Sequence, residues 1–316
     1  MNDIEPQANI SRSILGWIIL YLKGMAMGAA DIVPGVSGGT VAFISGIYTE
    51  LIYSLKACNP LALRVLFKQG FGAFMAHINA RFLFVLLAGI ATSLVVLVKV
   101  LTWLIAAYPQ ILWSFFFGLV LASAWLLSKN MEGDRLNMAV WLMLGAVMAW
   151  WISSQAPQQL DLQTYHFFFA GSVAICAMVL PGISGSFLLL LMGAYFPLLT
   201  AIDARDYLVL CAFAGGCVFG LLSFVHFLSW LLATHKNATF SVLVGFLLGS
   251  LKLLWPWKDV KEISVADHVK TYTINVSPQT YADLGVHPAL EGYCFLAFLC
   301  ALLMVVGLYF LSEKSL

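Results

Sequence analysis

A break of the form Pro-Gly-x-Ser-Gly occurs twice inside long apolar stretches, and this repeat constrains the fold more than any other feature of the sequence. The first copy lies in DIVPGVSGGTVAFISGIY, residues 31–48, and the second in MVLPGISGSFLLLLMGAY, residues 178–195. Both copies continue to Gly-x-Tyr at the same spacing, with the constant offset of 147 residues that separates Pro34 from Pro181. Corresponding Pro/Gly interruptions in two apolar halves indicate a transporter binding site.

The composition indicates a membrane protein. Hydrophobic residues make up 62% of the 316 residues and charged residues only 10%, and the mean hydropathy is +0.94. One soluble domain of this length cannot bury so much apolar surface. The formal net charge of +1 gives no reason to expect a nucleic-acid partner. The six cysteines form no CxxC pair and the acidic residues no metal-binding pattern, so neither a cofactor nor a metal is predicted.

The repeat continues beyond the motif. Residues from Leu83 onward align without gaps with residues from Leu210 onward, at an offset of 127 residues that matches Gly89 with Gly216. Each half contains a broken or re-entrant helix pair followed by three transmembrane helices. Because the pair returns to the side from which it came, three further crossings place the halves in opposite orientations. The predicted fold is an all-α polytopic membrane protein of two inverted-topology repeats.

The predicted halves cover residues 1–154 and 155–316. The first contains a re-entrant pair at 14–55, a basic amphipathic insertion at 57–81 that is expected at the membrane surface, and spans at 82–107, 111–127 and 138–153. The second contains a re-entrant pair at 166–202, spans at 207–233, 239–255 and 292–311, and an outer loop at 258–291. Alternating Thr, Tyr, Ile and Val in that loop predict a small β element.

The distribution of basic residues predicts the topology. When both termini are cytoplasmic, the basic loop residues fall on one face, as the positive-inside rule requires: Arg64, Lys68, Arg81, Lys129, Arg135, His235, Lys236 and Lys314. The loop at 155–165, without Lys or Arg, then faces outward. The first motif enters from the cytoplasm and the second from outside.

The two breaks have the chemistry of an anion site. Pro34-Gly35 and Pro181-Gly182 interrupt one helix and start another, and the first N–H groups of a new helix attract an anion. The small residues that follow allow a phosphate or carboxylate to approach: Ser37, Gly38, Gly39, Thr40, Ser184, Gly185 and Ser186. The alternative is that these small residues only permit close helix packing.

Five ionisable residues are candidates for coupling or for neutralising charge, because charges at membrane depth are costly: Asp31, Glu50, Lys99, His226 and Arg205. Asp31 stands where the second copy has Met178, and its alternative role is to cap the following helix. Lys99 and His226 are equivalent under the 127-residue offset. Arg205 lies between two aspartates, which favours a surface ion pair, and Lys23 is expected to snorkel to the interface.

Three segments resemble the polyprenyl-phosphate transporter family of bacteria, long catalogued as a domain of unknown function. They are GMAMGAADIVPGVSGGTVAFISGIYTELI, LPGISGSFLLLLMGAY and VGFLLGSLKLLWPW, at residues 24–52, 180–195 and 244–257. The resemblance covers nearly the whole chain. It implies a non-enzymatic flippase that returns undecaprenyl phosphate from the outer to the cytoplasmic leaflet of the inner membrane, recycling the lipid carrier of peptidoglycan synthesis. The family's motif positions fall on Asp31, Glu50 and both breaks.

Two other functions stay open at this point. Undecaprenyl-pyrophosphate phosphatases also combine inverted repeats with a Pro-Gly-x-Ser motif, but here Gly185 and Ser186 follow where that family has an Arg, and no Glu-x-x-x-Glu motif is present. A carrier of a small soluble anion would use the same two breaks. The sequence does not determine the energy source, although proton coupling through Asp31, Glu50 or His226 is a hypothesis, nor does it determine the oligomeric state.

Overall fold

A computed structural model describes residues 12–32, 37–129, 131, 133–155, 162–265, 268–285 and 288–313. The apolar stretches form helices, since a helix satisfies its own backbone hydrogen bonds within hydrocarbon. In chain order the helices are α1 Ile14–Ile32, α2 Gly38–Ile44, α3 Tyr48–Ala57, α4 Pro60–Gln69, α5 Phe71–His77, α6 Ala80–Val96, α7 Val98–Ala107, α8 Pro109–Lys129, α9 Arg135–Ser153, α10 Thr164–Val179, α11 Gly185–Leu191, α12 Tyr195–Asp203, α13 Tyr207–Thr234, α14 Lys236–Ser250, α15 Pro278–Asp283 and α16 Glu291–Glu313. A 3₁₀ turn, Leu251–Leu254, and two strands, β1 Lys258–Val265 and β2 His268–Asn275, follow α14.

Several of these helices meet the requirements of a membrane span. Within the described ranges, five are long and apolar enough to cross a membrane, or up to seven if each bent pair counts as one span. The chain is therefore a mostly helical polytopic membrane protein, as predicted. One of the two bent pairs joins α11 to α12 at an angle of 102°, which is the geometry of a broken or re-entrant segment.

The chain divides into two compact units. One comprises Met1–Lys99 with Pro157–Phe240, and the other Val100–Ala156 with Ser241–Leu316. Each unit thus combines segments from both halves of the sequence. Both motif copies belong to the first unit.

Glycines bring α1 and α6 into backbone contact. A Cβ atom at Gly24 would overlap the carbonyl oxygen of Leu86, and one at Gly89 would overlap that of Tyr21. Such close approach, which only small residues allow, is a common basis of helix association in membranes. The two glycines therefore hold α1 directly against α6.

The same contacts recur between α10 and α13. A Cβ atom at Gly171 would overlap the carbonyl oxygen of Phe213, and one at Gly216 would overlap that of Phe168. All four residues are equivalent to those of the α1 and α6 pair, at offsets of 147 residues in α10 and 127 in α13. The sequence repeat is therefore a repeat of packing contacts as well.

The second unit uses glycines in the same way. A Cβ atom at Gly118 in α8 would lie 2.7 Å from the carbonyl oxygen of Phe298 in α16, and one at Gly245 in α14 would overlap the carbonyl oxygen of Leu142 in α9. Gly118 and Gly245 are again equivalent at the offset of 127 residues.

One predicted span is divided in the structure. The stretch expected as a single helix over residues 82–107 forms α6 and α7, separated at Leu97. The Leu97 N–H still donates to the Ser93 carbonyl at 2.8 Å, so the interruption is a single residue. At the equivalent position, α13 continues without a break.

The predicted β element is present as an antiparallel hairpin. Its register runs from Lys258 opposite Asn275 to Val265 opposite His268. Lys258 at its base has a half-buried side chain, whose Nζ donates to the Leu253 carbonyl at 2.5 Å and lies 4.2 Å from the centre of the Trp113 ring. Burial lowers the pKa of Lys258 to about 8, because an ammonium group loses hydration there.

Gly216→Ala is expected to destabilise the protein by about 1–3 kcal/mol, because the new methyl group must push α13 away from α10. The neighbouring substitution Gly215→Ala is the matched control. A Cβ atom at Gly215 would meet only the Phe168 ring, at 3.8 Å, and alanine raises helix propensity. Thermal unfolding of both variants in detergent measures the difference. Equal stability of the two variants would contradict the packing described for Gly216.

Because of Lys258, we expect the folded protein to become more stable as the pH rises. Its pKa is lower in the folded protein, near 8, than in the unfolded chain, where a lysine titrates near 10.4. Between these values the unfolded chain binds the extra proton, so raising the pH through this window favours the folded state. Between pH 7 and pH 10, the melting temperature of the native protein should rise relative to that of Lys258→Met. The exposed-lysine variant Lys236→Met should keep that rise.

Candidate functional site

The two copies of the motif end in the same turn. After α2, the Ile47 N–H donates to the Ala42 carbonyl at 3.1 Å, and after α11 the Ala194 N–H donates to the Leu189 carbonyl at 2.9 Å. The glycine of Gly-x-Tyr has a positive φ in both copies, 76° at Gly46 and 69° at Gly193, where other residues are strained. The shared Gly-x-Tyr spacing therefore corresponds to a shared reversal of the chain.

The start of α2 is fully capped by the protein itself. The Asp31 carboxylate accepts a hydrogen bond from the Gly38 N–H at 2.7 Å, and the Ser37 Oγ accepts one from the Gly39 N–H at 3.1 Å. A Cβ atom at Gly38 would lie 2.6 Å from the Asp31 Oδ2. Asp31 thus takes the capping role that the sequence left open, and the predicted break residues Pro34 and Gly35 lie outside the described residues.

Side chains of the first copy bind the backbone of the second. The Ser37 Oγ donates to the Met178 carbonyl at 3.1 Å, and the Thr40 Oγ1 accepts a hydrogen bond from the Gly182 N–H at 2.9 Å. Gly39 allows this approach, because a Cβ atom there would lie 2.8 Å from the carbonyl oxygens of Met178 and Val179. Ser37 and Thr40 are both 1% exposed. The two motifs form one buried junction.

The start of α11 is capped differently. α10 ends at Val179, the chain turns through Pro181 and Gly182, and Gly182 has a φ of 88°. The side chain of the N-cap residue Ser184 makes no capping hydrogen bond and instead lies 2.9 Å from the Ser186 Oγ. Ser184 is buried and Ser186 is exposed.

Met178 occupies the place of Asp31 in the second copy. Its Cβ atom would lie 3.4 Å from a Cβ atom at Gly185, as the Asp31 carboxyl group lies beside Gly38. A methionine offers no hydrogen-bond acceptor of comparable strength. The second copy therefore has no carboxylate beside the first residue of its helix.

The remaining ionisable candidates lie apart from this junction. Glu50 accepts hydrogen bonds from Arg12 and, at 3.1 Å, from Asn79, so it belongs to an ion pair. Lys99, His226 and Arg205 are exposed, and the hydrogen bonds of the described ranges join none of them to either motif. The ion pair predicted for Arg205 is absent from the described residues, whereas Glu50 forms a salt bridge with Arg12.

Lys23 makes a contact that the sequence did not predict. Its Nζ donates to the Ser45 carbonyl at 2.6 Å, and Ser45 is the C-cap of α2. The ammonium group thus has a backbone acceptor close by, and its snorkelling to the interface stays a prediction. The only feature of the sequence that bears on this contact is the spacing of eight residues between Lys23 and Asp31.

Two broken helices that meet in a buried junction, within a bundle of apolar helices, define a polytopic membrane protein of the transporter type. Comparison with known proteins gives the family. A family model described as VCA0040-like, undecaprenyl phosphate translocase-like, matches residues 27–272, and the chain belongs to that family.

Two curated relatives have the same name, polyprenyl-phosphate transporter. The protein from Vibrio cholerae serotype O1 is 43% identical over 303 residues, which cover 95% of this chain and 98% of the relative. The protein from Staphylococcus aureus strain NCTC 8325 is 31% identical over 258 residues, covering 76% of this chain and 86% of the relative. No solved structure matches the chain.

Thr40→Val is expected to destabilise the junction by about 1–3 kcal/mol, because the buried Gly182 N–H loses its acceptor. Thr40→Ser retains the hydroxyl group and should remain near the native stability. Thermal unfolding of both variants in detergent tests the contact. If valine is tolerated as well as serine, the Gly182 N–H does not depend on Thr40.

Proposed function

We propose that the protein is a flippase that moves undecaprenyl phosphate from the outer to the cytoplasmic leaflet of the bacterial inner membrane. Both curated relatives carry the name polyprenyl-phosphate transporter, and the matching family model is described as undecaprenyl phosphate translocase-like. The substrate has a charged head that cannot cross hydrocarbon and an isoprenoid tail that is soluble in it. The protein needs only to shield the head while the tail stays in the lipid.

The observation that carries the proposal is the contrast between the two helix starts. α2 is capped by Asp31 and Ser37, whereas the N-cap residue of α11, Ser184, makes no capping hydrogen bond. The first N–H groups of a helix attract phosphate, and Ser186 beside them is exposed. Of the predicted phosphate-binding residues, Ser184, Gly185 and Ser186 are therefore assigned to capture the head.

The residues of the first copy are assigned to release. Ser37, Gly38, Gly39 and Thr40 already have partners within the protein, and a phosphate reaching them would compete with the tethered Asp31 carboxylate. An anion bound beside a carboxylate is held weakly. In this proposal the phosphate head is captured at the second copy and released at the first, which is consistent with transport from the outer to the cytoplasmic leaflet.

Alternating access requires that the two breaks open to opposite sides. The equivalent glycine contacts of α1 with α6 and of α10 with α13 support a structural repeat, and the proposal takes this repeat to be inverted, as the parity of the spans predicted from the sequence requires. In this proposal each half, 1–154 and 155–316, contributes one break, both termini are cytoplasmic, and α4 and α5 lie along the cytoplasmic headgroups. The energy for transport comes from protons that bind Asp31, with Glu50 and His226 as the other candidates.

Undecaprenyl phosphate in proteoliposomes tests the proposal. A phosphatase added outside hydrolyses only the outer leaflet, so phosphate release beyond the outer pool measures flipping. Met178→Asp places a carboxylate beside Gly185, as Asp31 lies beside Gly38, and should slow flipping roughly tenfold or more by excluding the phosphate. Met178→Asn is the matched control without the charge and should flip nearly as fast as the native protein.

The outcomes separate this function from its alternatives. Equal flipping by Met178→Asp and Met178→Asn would overturn the assignment of the capture site. Flipping that does not respond to an imposed pH gradient would eliminate proton coupling. Release of phosphate from undecaprenyl pyrophosphate by the purified protein would instead identify a phosphatase, and uptake of inorganic phosphate into the same vesicles without lipid flipping would identify a small-anion carrier.

A further inference from the structure

We infer that Lys23 and Asp31 are positioning residues that hold α2 by its two ends, so that α2 is the fixed half of the junction and α11 the half that rearranges. Both residues lie on α1. The Lys23 Nζ donates to the Ser45 carbonyl at the C-terminal end of α2, at 2.6 Å. The Asp31 Oδ1 accepts a hydrogen bond from the Gly38 N–H at the N-terminal end, at 2.7 Å.

The dimensions of the two helices fit this arrangement. Lys23 and Asp31 are eight residues apart, roughly 12 Å along α1 at 1.5 Å per residue. α2 has seven residues and is roughly 10 Å long. One charged side chain of α1 therefore reaches each end of α2, and the two side chains contact α2 rather than each other.

The signs of the charges match the helix. A helix is positive at its N-terminus and negative at its C-terminus, so a carboxylate is favourable at the first end and an ammonium group at the second. Each contact is also a hydrogen bond that involves a charged side chain, and such bonds are stronger than hydrogen bonds between neutral groups. Reversing the two charges would place each at the unfavourable end.

α1 is itself a rigid support. Gly24, one residue beyond Lys23, packs directly against the backbone of α6, and a Cβ atom at Gly28 would lie 2.7 Å from the Ile90 carbonyl oxygen. The contacts of Lys23 and Asp31 therefore connect α2 to a helix pair that has no room to separate.

The second copy lacks both charges. Ala170 and Met178 stand at the positions equivalent to Lys23 and Asp31, although α10 packs on α13 through the same glycine contacts. The N-cap residue Ser184 makes no capping hydrogen bond. α11 contacts α10 through Gly185, but among the described residues no charged side chain of α10 holds either end of it.

Hydrogen–deuterium exchange of the native protein in detergent gives the first test. The amides of residues 38–44 should exchange roughly tenfold or more slowly than those of 185–191, because opening α2 breaks two charge-assisted hydrogen bonds. Equal exchange in the two segments, or slower exchange in 185–191, would overturn the inference. This measurement requires no variant and no transport.

Variants of Lys23 and Asp31 give the second test. Lys23→Met and Asp31→Asn should each accelerate exchange in α2 by roughly tenfold, while Lys23→Arg should preserve the protection, and exposed Lys68→Met serves as the control. The exchanged pair Lys23→Asp with Asp31→Lys should be less protected than either single variant, since both charges then oppose the helix dipole. Restored protection in the exchanged pair would identify a simple ion pair and overturn the inference.

The consequence for transport rests on the proposed function. Lys23→Met should lower the rate of undecaprenyl phosphate flipping at least fivefold, and Lys23→Arg should restore it. Unchanged flipping by Lys23→Met, together with faster exchange in α2, would show that the fixed position of α2 is not needed and would overturn its positioning role. If the native protein flips no lipid, the proposed function fails, whereas the exchange measurements still decide whether α2 is held.

Discussion

A broken helix within a membrane exposes backbone N–H groups where no water can satisfy them, and the rest of this structure depends on how those groups are paired. At the first break, Asp31 and Ser37 satisfy the start of α2. At the second, the Thr40 hydroxyl satisfies the Gly182 N–H. Three side chains of the first copy thus stabilise both breaks, and in the described part of the chain the second copy contributes no such side chain.

These hydrogen bonds require the helices around the breaks to be placed within tenths of an ångström, and the glycine contacts supply that precision. A backbone packed on a backbone has no side-chain rotamers to adjust, so α1 has one position on α6 and α10 has one on α13. The same equivalent glycines occur in both copies. The packing was therefore retained in both copies, whereas the charged residues next to it differ.

The sequence predicted the parts of this arrangement that repeat. The offsets of 147 and 127 residues identified both motifs and the matching glycines, because these features constrain the residue type in both copies. The membrane fold followed from the composition. The extramembrane hairpin followed from its alternating pattern. The offset also drew attention to Lys99 and His226, but equivalence in sequence does not make a residue face the junction, and both are exposed.

The contacts of side chains with backbone carbonyls could not be predicted in the same way. Ser37 binds the carbonyl of Met178, and Lys23 binds the carbonyl of Ser45; a backbone carbonyl is present at every residue, so the acceptor leaves no trace in the sequence. The interruption at Leu97 was missed for a related reason, since neither Pro nor Gly marks it. The sequence shows which side chain can donate a hydrogen bond, but it does not show which backbone carbonyl accepts it.

On the function proposed above, the difference between Asp31 and Met178 gives the two breaks different affinities for an anion. Two identical breaks would bind an anion equally well, and transfer between them would favour neither side. A tethered carboxylate at one break competes with any arriving anion at an effective concentration set by its short side chain, whereas a methionine does not compete. On the function proposed above, the phosphate is bound where the protein lacks its own anion and released where it has one. In that proposal, a single position in two copies of a motif distinguishes the capture site from the release site, and the coupled protons supply the energy.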